Sequence, residues 1–152
     1  MLGILTTTVI FVYNLHFKSW NEGYARSVIR DNLSQAMELA GDRLRRAQSI
    51  DALTESSITF TADLGNGSNT YRLYLYNAGD PEPNPPYTQS TYSLRLGQGA
   101  VDYGDGPVLS SDIAQPSGPA FAISDKVITL DLTALRGAEQ VTMRTKIRPR
   151  NL

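Results

Sequence analysis

The chain has 152 residues, 41% hydrophobic and 19% charged, a length that fits one domain of ordinary size with an appendage. It has no cysteine, which excludes disulfides, thiolate chemistry and Cys-bound zinc, and a single histidine, His16, which excludes a histidine-rich metal centre. The net charge of −1 gives no global pull toward nucleic acid, yet residues 1–50 sum to +2, residues 51–135 to −7 and residues 136–152 to +4.

The first seventeen residues, MLGILTTTVIFVYNLHF, carry no charge, and Lys18 is the first that does. As a helix they run about 25 Å, slightly short of a bilayer core. Leu2, Ile4, Leu5, Val9, Ile10, Phe11, Val12 and Leu15 supply the apolar surface of an expected membrane or fibre-core segment over residues 1–18. The competing reading is a buried core helix. A cleaved secretory signal fits poorly, because no basic n-region precedes the run and no A-x-A site follows it.

Residues 19–50 continue with helical spacing. Trp20, Tyr24, Ile29, Leu33, Ala36, Ala40, Leu44 and Ala47 recur mostly at three- and four-residue steps, with arginines and carboxylates between them. Nothing around Lys18 stops a helix, so both stretches are expected to form one helix of about 70 Å. From residue 51 the period changes to two. Ser57–Asp63 and Thr70–Asn77 flank the turn-rich LGNGSN and predict a hairpin. Tyr92–Leu96, Val127–Leu135 and Val141–Ile147 are further strands, and four of the eight prolines fall within Pro81–Pro86, making an extended linker. The expected fold is therefore α+β, a long N-terminal helix packed on an antiparallel β-sheet head spanning residues 51–152.

Candidate chemistry is sparse. Asp63, Asn66 and Ser68 offer oxygen donors in DLGNGS, but Asp, Asn and Gly are also what a hairpin turn selects. Asp102, Asp105 and Asp112 fall in a Gly-rich stretch that reads as a solvated loop. His16 reads as an interfacial residue, and Ser110 and Ser111 stand in no nucleophile elbow. Neither a P-loop nor G-x-G-x-x-G is present, so no cofactor, no metal and no enzymatic activity are expected. The basic end is more specific. Arg144, Lys146, Arg148 and Arg150 alternate with Met143, Thr145, Ile147 and Pro149, which places four cations on one face of a strand. This is either a solvated face that discourages edge pairing or a contact for an acidic partner. Nucleic acid is not expected, because no aromatic interleaves the cations.

Taken together, the apolar start, the stretch DRLRRAQ, ITFTADLGNGSNTYRLYLYN, GPVLSSDI, VITLDLTA and the terminal VTMRTKIRPRN resemble the type IV pilin-like proteins. Within that group the minor pilins and the J-type pseudopilins of type II secretion are the nearest in pattern, through Leu44–Ala47, Tyr71–Leu73, Pro107–Leu109 and Arg150–Asn151. The family's leader and its glutamate at mature position five have no counterpart, since residue 5 is Leu5. Three explanations are open: the chain begins inside the mature helix, its start is wrongly assigned, or it assembles without that glutamate. Leader processing and N-methylation are therefore not carried over. The resemblance implies a structural subunit of a type IV pilus or type II secretion fibre. Its implied partners are other pilin or pseudopilin subunits, the inner membrane and assembly platform proteins. Its implied location is the bacterial inner membrane with a periplasmic head, then the fibre. The alternative is a single-span, membrane-anchored periplasmic binding module.

Overall fold

The structure, a computed structural model, describes residues 20, 22–65, 67–99 and 102–151; residues 2–19 and 21 enter only through the bounds of the first helix. The elements in order are α1 (Leu2–Arg45), β1 (Ala47–Leu53), β2 (Ser57–Asp63), β3 (Ser68–Tyr76), β4 (Thr91–Gln98), β5 (Val108–Ala114), β6 (Phe121–Ser124), β7 (Val127–Arg136) and β8 (Glu139–Ile147). The eight strands form one antiparallel sheet in the order β1-β2-β3-β4-β5-β7-β6, with β8 on the other side of β7.

This corrects the expected arrangement of a long helix packed on a sheet. Among the described residues strand outweighs helix, 49% against 20%, and the sheet curls into a half-barrel. Among the described residues the stretch from Ile29 to Leu44 buries a helical face against it. Three strands absent from the sequence reading shift the balance. Ala47–Leu53 is a strand that begins where helix is expected to continue, β5 begins inside the stretch read as a loop, and β6 lies where no element is expected.

The curl follows from the right-handed twist accumulated over so many strands. It carries the β1–β2 turn round to β6, where the Glu55 carbonyl accepts hydrogen bonds from the Ala120 N–H (2.8 Å) and the Phe121 N–H (3.2 Å). Period-two alternation sends one set of side chains into the concave face: Ile58, Phe60 and Ala62 from β2, Leu73 and Leu75 from β3, and Ile128, Leu130 and Leu132 from β7. Ile29, Leu33, Ala36, Met37, Ala40 and Leu44 meet them from the helix, at the three- and four-residue steps of one helical face. Each large apolar side chain so buried contributes roughly 1.5–3 kcal/mol. The helix lies mainly on β8 and β7. At Gly41 the helix lies against β8, where a Cβ would sit 3.8 Å from the Ile147 side chain.

Trp20 and Tyr24 do not join this core. They are 75% and 65% exposed, and the five-residue step from Tyr24 to Ile29 puts them on the opposite side of the helix from Ile29 and Leu33. The buried face, from Ile29 through Leu44, is about half a turn away from them.

Candidate functional site

The predicted membrane and fibre-core residues, Leu2, Ile4, Leu5, Val9, Ile10, Phe11, Val12 and Leu15, lie outside the described residues, as does His16. Among the described residues no helix is long and apolar enough to cross a membrane. Inner-membrane anchoring, expected from the apolar start, is therefore corrected: nothing in the described structure supports a transmembrane helix.

The acidic loops behave as turns. Asp63 accepts a hydrogen bond from the Gly65 N–H through Oδ1 (2.8 Å), which closes the turn, and Ser68 Oγ donates to Gln48 Oε1 of β1 (3.0 Å). Gly65 and Gly67 take positive φ values of 109° and 83°, the conformations that select glycine there. Asn66 is outside the described residues. Among the described residues no group of three or more His, Asp or Glu side chains converges on a metal-sized site.

The Asp102 loop is not the free loop that its composition predicts. Tyr74 is buried on the convex side of β3, and its hydroxyl accepts hydrogen bonds from the Gly104 and Gly106 N–H groups, both 3.1 Å. Arg95 donates from one guanidinium nitrogen to the Gly104 and Gly106 carbonyls. The Arg72 guanidinium stacks 4.9 Å from the Tyr103 ring centroid, and that of Arg95 lies 4.6 Å from the Tyr76 centroid. This loop is thus strapped across the outside of β3 and β4, with Asp102 and Asp105 left exposed. The Y-R-L-Y-L-Y alternation was the available signal, since it sets Arg72, Tyr74 and Tyr76 on one face.

A second polar cluster closes the proline-rich linker. Tyr92 donates from its hydroxyl to Asp80 Oδ2 (2.8 Å) and accepts from the Gln89 N–H (3.1 Å). Burial pushes the Tyr92 phenol above its usual range; the Gln89 hydrogen bond lowers it and the bond to Asp80 raises it. The neighbouring Tyr87 is raised as well, first by burial and then by the charge of Glu55.

The basic residues are where chemistry collects. Arg144, Lys146, Arg148 and Arg150 are all exposed, while Met143, Thr145, Ile147 and Pro149 turn inward. They do not form one uniform stripe. Strand β8 ends at Ile147, so Arg148 and Arg150 belong to the tail that follows. Arg144 pairs with Asp131 across the β7–β8 ladder at 3.6 Å, a solvated contact worth about 0–1 kcal/mol. The tail turns back on the helix, where the Arg150 N–H donates to the Arg45 carbonyl (3.1 Å). That bond brings Arg148 and Arg150 to the end of α1, which carries exposed Arg45 and Arg46. The helix residues were missed from sequence because a hundred positions separate them from the tail.

Beside β8 lies a groove of about 530 Å³ between the strand and the helix, lined by Ser34, Met37, Glu38, Gly41, Arg45, Met143, Arg144 and Thr145. No protein-family model, curated protein or solved structure matches the chain. The pilin-like description accordingly has no family evidence behind it, and the resemblance rests on the quoted residues alone.

Proposed function

We propose that the protein is a non-catalytic structural subunit that acts by joining other protein subunits, in a fibre of the minor-pilin or pseudopilin kind. The observation that carries this reading is the helix ahead of the core. Trp20 and Tyr24 are 75% and 65% exposed on the same helix whose later turns are buried. Large aromatics are the side chains most enriched at the centres of protein–protein contacts, and two of them one turn apart on a helix make a compact anchor. The cationic end at Arg46, Arg148 and Arg150, beside an Arg45 that pairs with Asp42 at 2.7 Å, supports the same reading, since it supplies electrostatic steering toward an acidic neighbour.

Photo-crosslinking tests the reading. A benzophenone amino acid is placed at Trp20 or Tyr24 in cells that make the protein, and crosslinked species are identified by mass spectrometry. The expected products are adducts with a small, reproducible set of subunits of one assembly, including this chain itself. Crosslinks confined to the chain's own head, or a random set of abundant proteins, would remove the reading.

A further inference from the structure

Strand β8 has β7 as its hydrogen-bonded neighbour and, among the described residues, none on its other side. Its pairing with β7 runs unbroken through nine register positions, from Ile128 opposite Ile147 to Arg136 opposite Glu139. The other long edge, β1, differs: its register with β2 shifts twice, between Ala47 and Ser49 and between Ile50 and Ala52. Bulges of that kind twist an edge away from further pairing, whereas a straight, regular edge offers its alternate N–H and C=O groups as a template. The free edge of β8 is also walled. The helix runs beside it, and Met37, Gly41 and Met143 together with Arg144 and Thr145 line the groove between them.

An edge strand flanked by a helix is the geometry in which an extended peptide adds to a sheet, its main chain bonding the edge and alternate side chains filling the groove. The charges select the occupant. Arg144 and Lys146 project from the solvent side of β8, Arg144 in a loose, solvated contact with Asp131 (3.6 Å); at the end of the groove Arg45 is paired with Asp42 (2.7 Å), and Glu38 is an acidic member of the lining. A second β8 laid antiparallel on the first in full register would set Arg144 opposite Thr142 and Lys146 opposite Gln140, so neither cation would meet a carboxylate. A strand with acidic residues at alternate positions meets them favourably.

We infer that the groove between α1 and β8 is a strand-addition site for an extended segment of a partner protein, apolar on one side and acidic on the other. This rests on the subunit reading above and gives that subunit's partner a chemistry.

The test uses the full chain and labelled synthetic peptides about ten residues long, the length of a typical strand. One alternates valine with glutamate, a second replaces glutamate by lysine, and a third repeats the first with alternate amides N-methylated. The glutamate peptide should bind at least about tenfold more tightly than the lysine peptide, and should weaken by a similar factor at roughly 0.5 M salt. N-methylation should abolish binding, and amide hydrogens of β8 should become protected from exchange when the glutamate peptide is bound. The R144Q/K146Q variant, changed only at exposed positions, should lose about the same factor at low salt. Equal binding of the N-methylated peptide overturns strand addition, and equal binding of the lysine peptide overturns the charge selection. Protection of β8 amides in the free protein that grows with its concentration shows a second copy on the edge and overturns the proposal as stated. If no peptide binds while the crosslinks from Trp20 and Tyr24 still reach other subunits, the groove proposal fails and the subunit reading stands.

Discussion

At the scale of single residues, the loop strapped over β3 and β4 depends on two glycines and one phenol. A Cβ at Gly106 would sit 2.9 Å from the Gly97 nitrogen and from the Leu96 carbonyl carbon, main-chain atoms that cannot give way locally. Gly106→Ala should therefore destabilise by about 1–3 kcal/mol, the usual cost of overpacking. Gly118→Ala is the control, because nothing lies within 4 Å of that position. It should change stability by less than about 0.5 kcal/mol in a urea titration. Tyr74→Phe leaves the Gly104 and Gly106 amides without their shared acceptor, a loss of about 1–3 kcal/mol. A different phenol sets a pH limit. Tyr92 has its folded pKa raised, mainly by burial, so the folded state holds its proton more tightly than the unfolded state does. The stability this confers is complete below the unfolded value of about 10 and is lost as pH rises through the folded one. Tyr92→Phe should flatten the alkaline limb of a stability–pH profile and leave its neutral slope unchanged. An unaltered alkaline limb would assign that loss to other groups.

At the scale of elements, the helix divides by what lies beneath it. Leu33 and Leu44 are wholly buried on the sheet, while Leu39 is 40% exposed. Leu33→Ala or Leu44→Ala should cost about 2–5 kcal/mol, and Leu39→Ala well under about 1 kcal/mol, measured by chemical denaturation. Near-equal losses at all three positions would contradict the packing described. The same division explains what the sequence made legible. Ser57–Asp63 matches β2 residue for residue, and β7 and β8 were placed within two residues at each end, because their alternation is strict and one face of each is buried. Ala47–Leu53 was not legible: AQSIDAL continues the three- and four-residue steps of the helix through Ala47, and only the turn to β2 makes it a strand. Strand β5 hides behind its serines and Asp112, which takes a φ of 60° where the pairing with β4 breaks register. Phe121–Ser124 is too short for a period to show. The groove beside β8 was invisible for another reason: it is made by a helix and a strand a hundred residues apart, and no local pattern encodes their meeting.

At the scale of the whole molecule, the core and the charge distribution make separate demands. The described core starts at Ile29, and Ile29 to Leu44 supply its helical face, so the domain is expected to fold without Met1–Phe17. The shortened chain should keep its strand signal by circular dichroism and melt cooperatively; a chain that fails to fold would place those residues in the core. The charge split concerns association instead. The final seventeen residues sum to +4 and the middle eighty-five to −7. In the fold, the tail cations gather with Arg45 and Arg46 at one end of the molecule. Asp102 and Asp105, by contrast, are presented on the convex side of β3 and β4. Opposite charges on separate faces of one subunit favour head-to-tail contact between copies or with an acidic neighbour, and they act mostly on the rate of encounter. One exposed pair contributes only about 0–1 kcal/mol, so a single substitution would be hard to see. Changing Arg144, Lys146, Arg148 and Arg150 together to glutamine removes four charges from exposed sites and should leave the melting temperature within a few degrees. Association with partner subunits should then slow by about tenfold or more at low salt, and the difference from the unaltered chain should shrink as salt shortens the Debye length to about 3 Å at 1 M. Rates that match the unaltered chain at every ionic strength would make the basic end a solvated surface whose cations serve only to keep the edge of β8 from pairing indiscriminately.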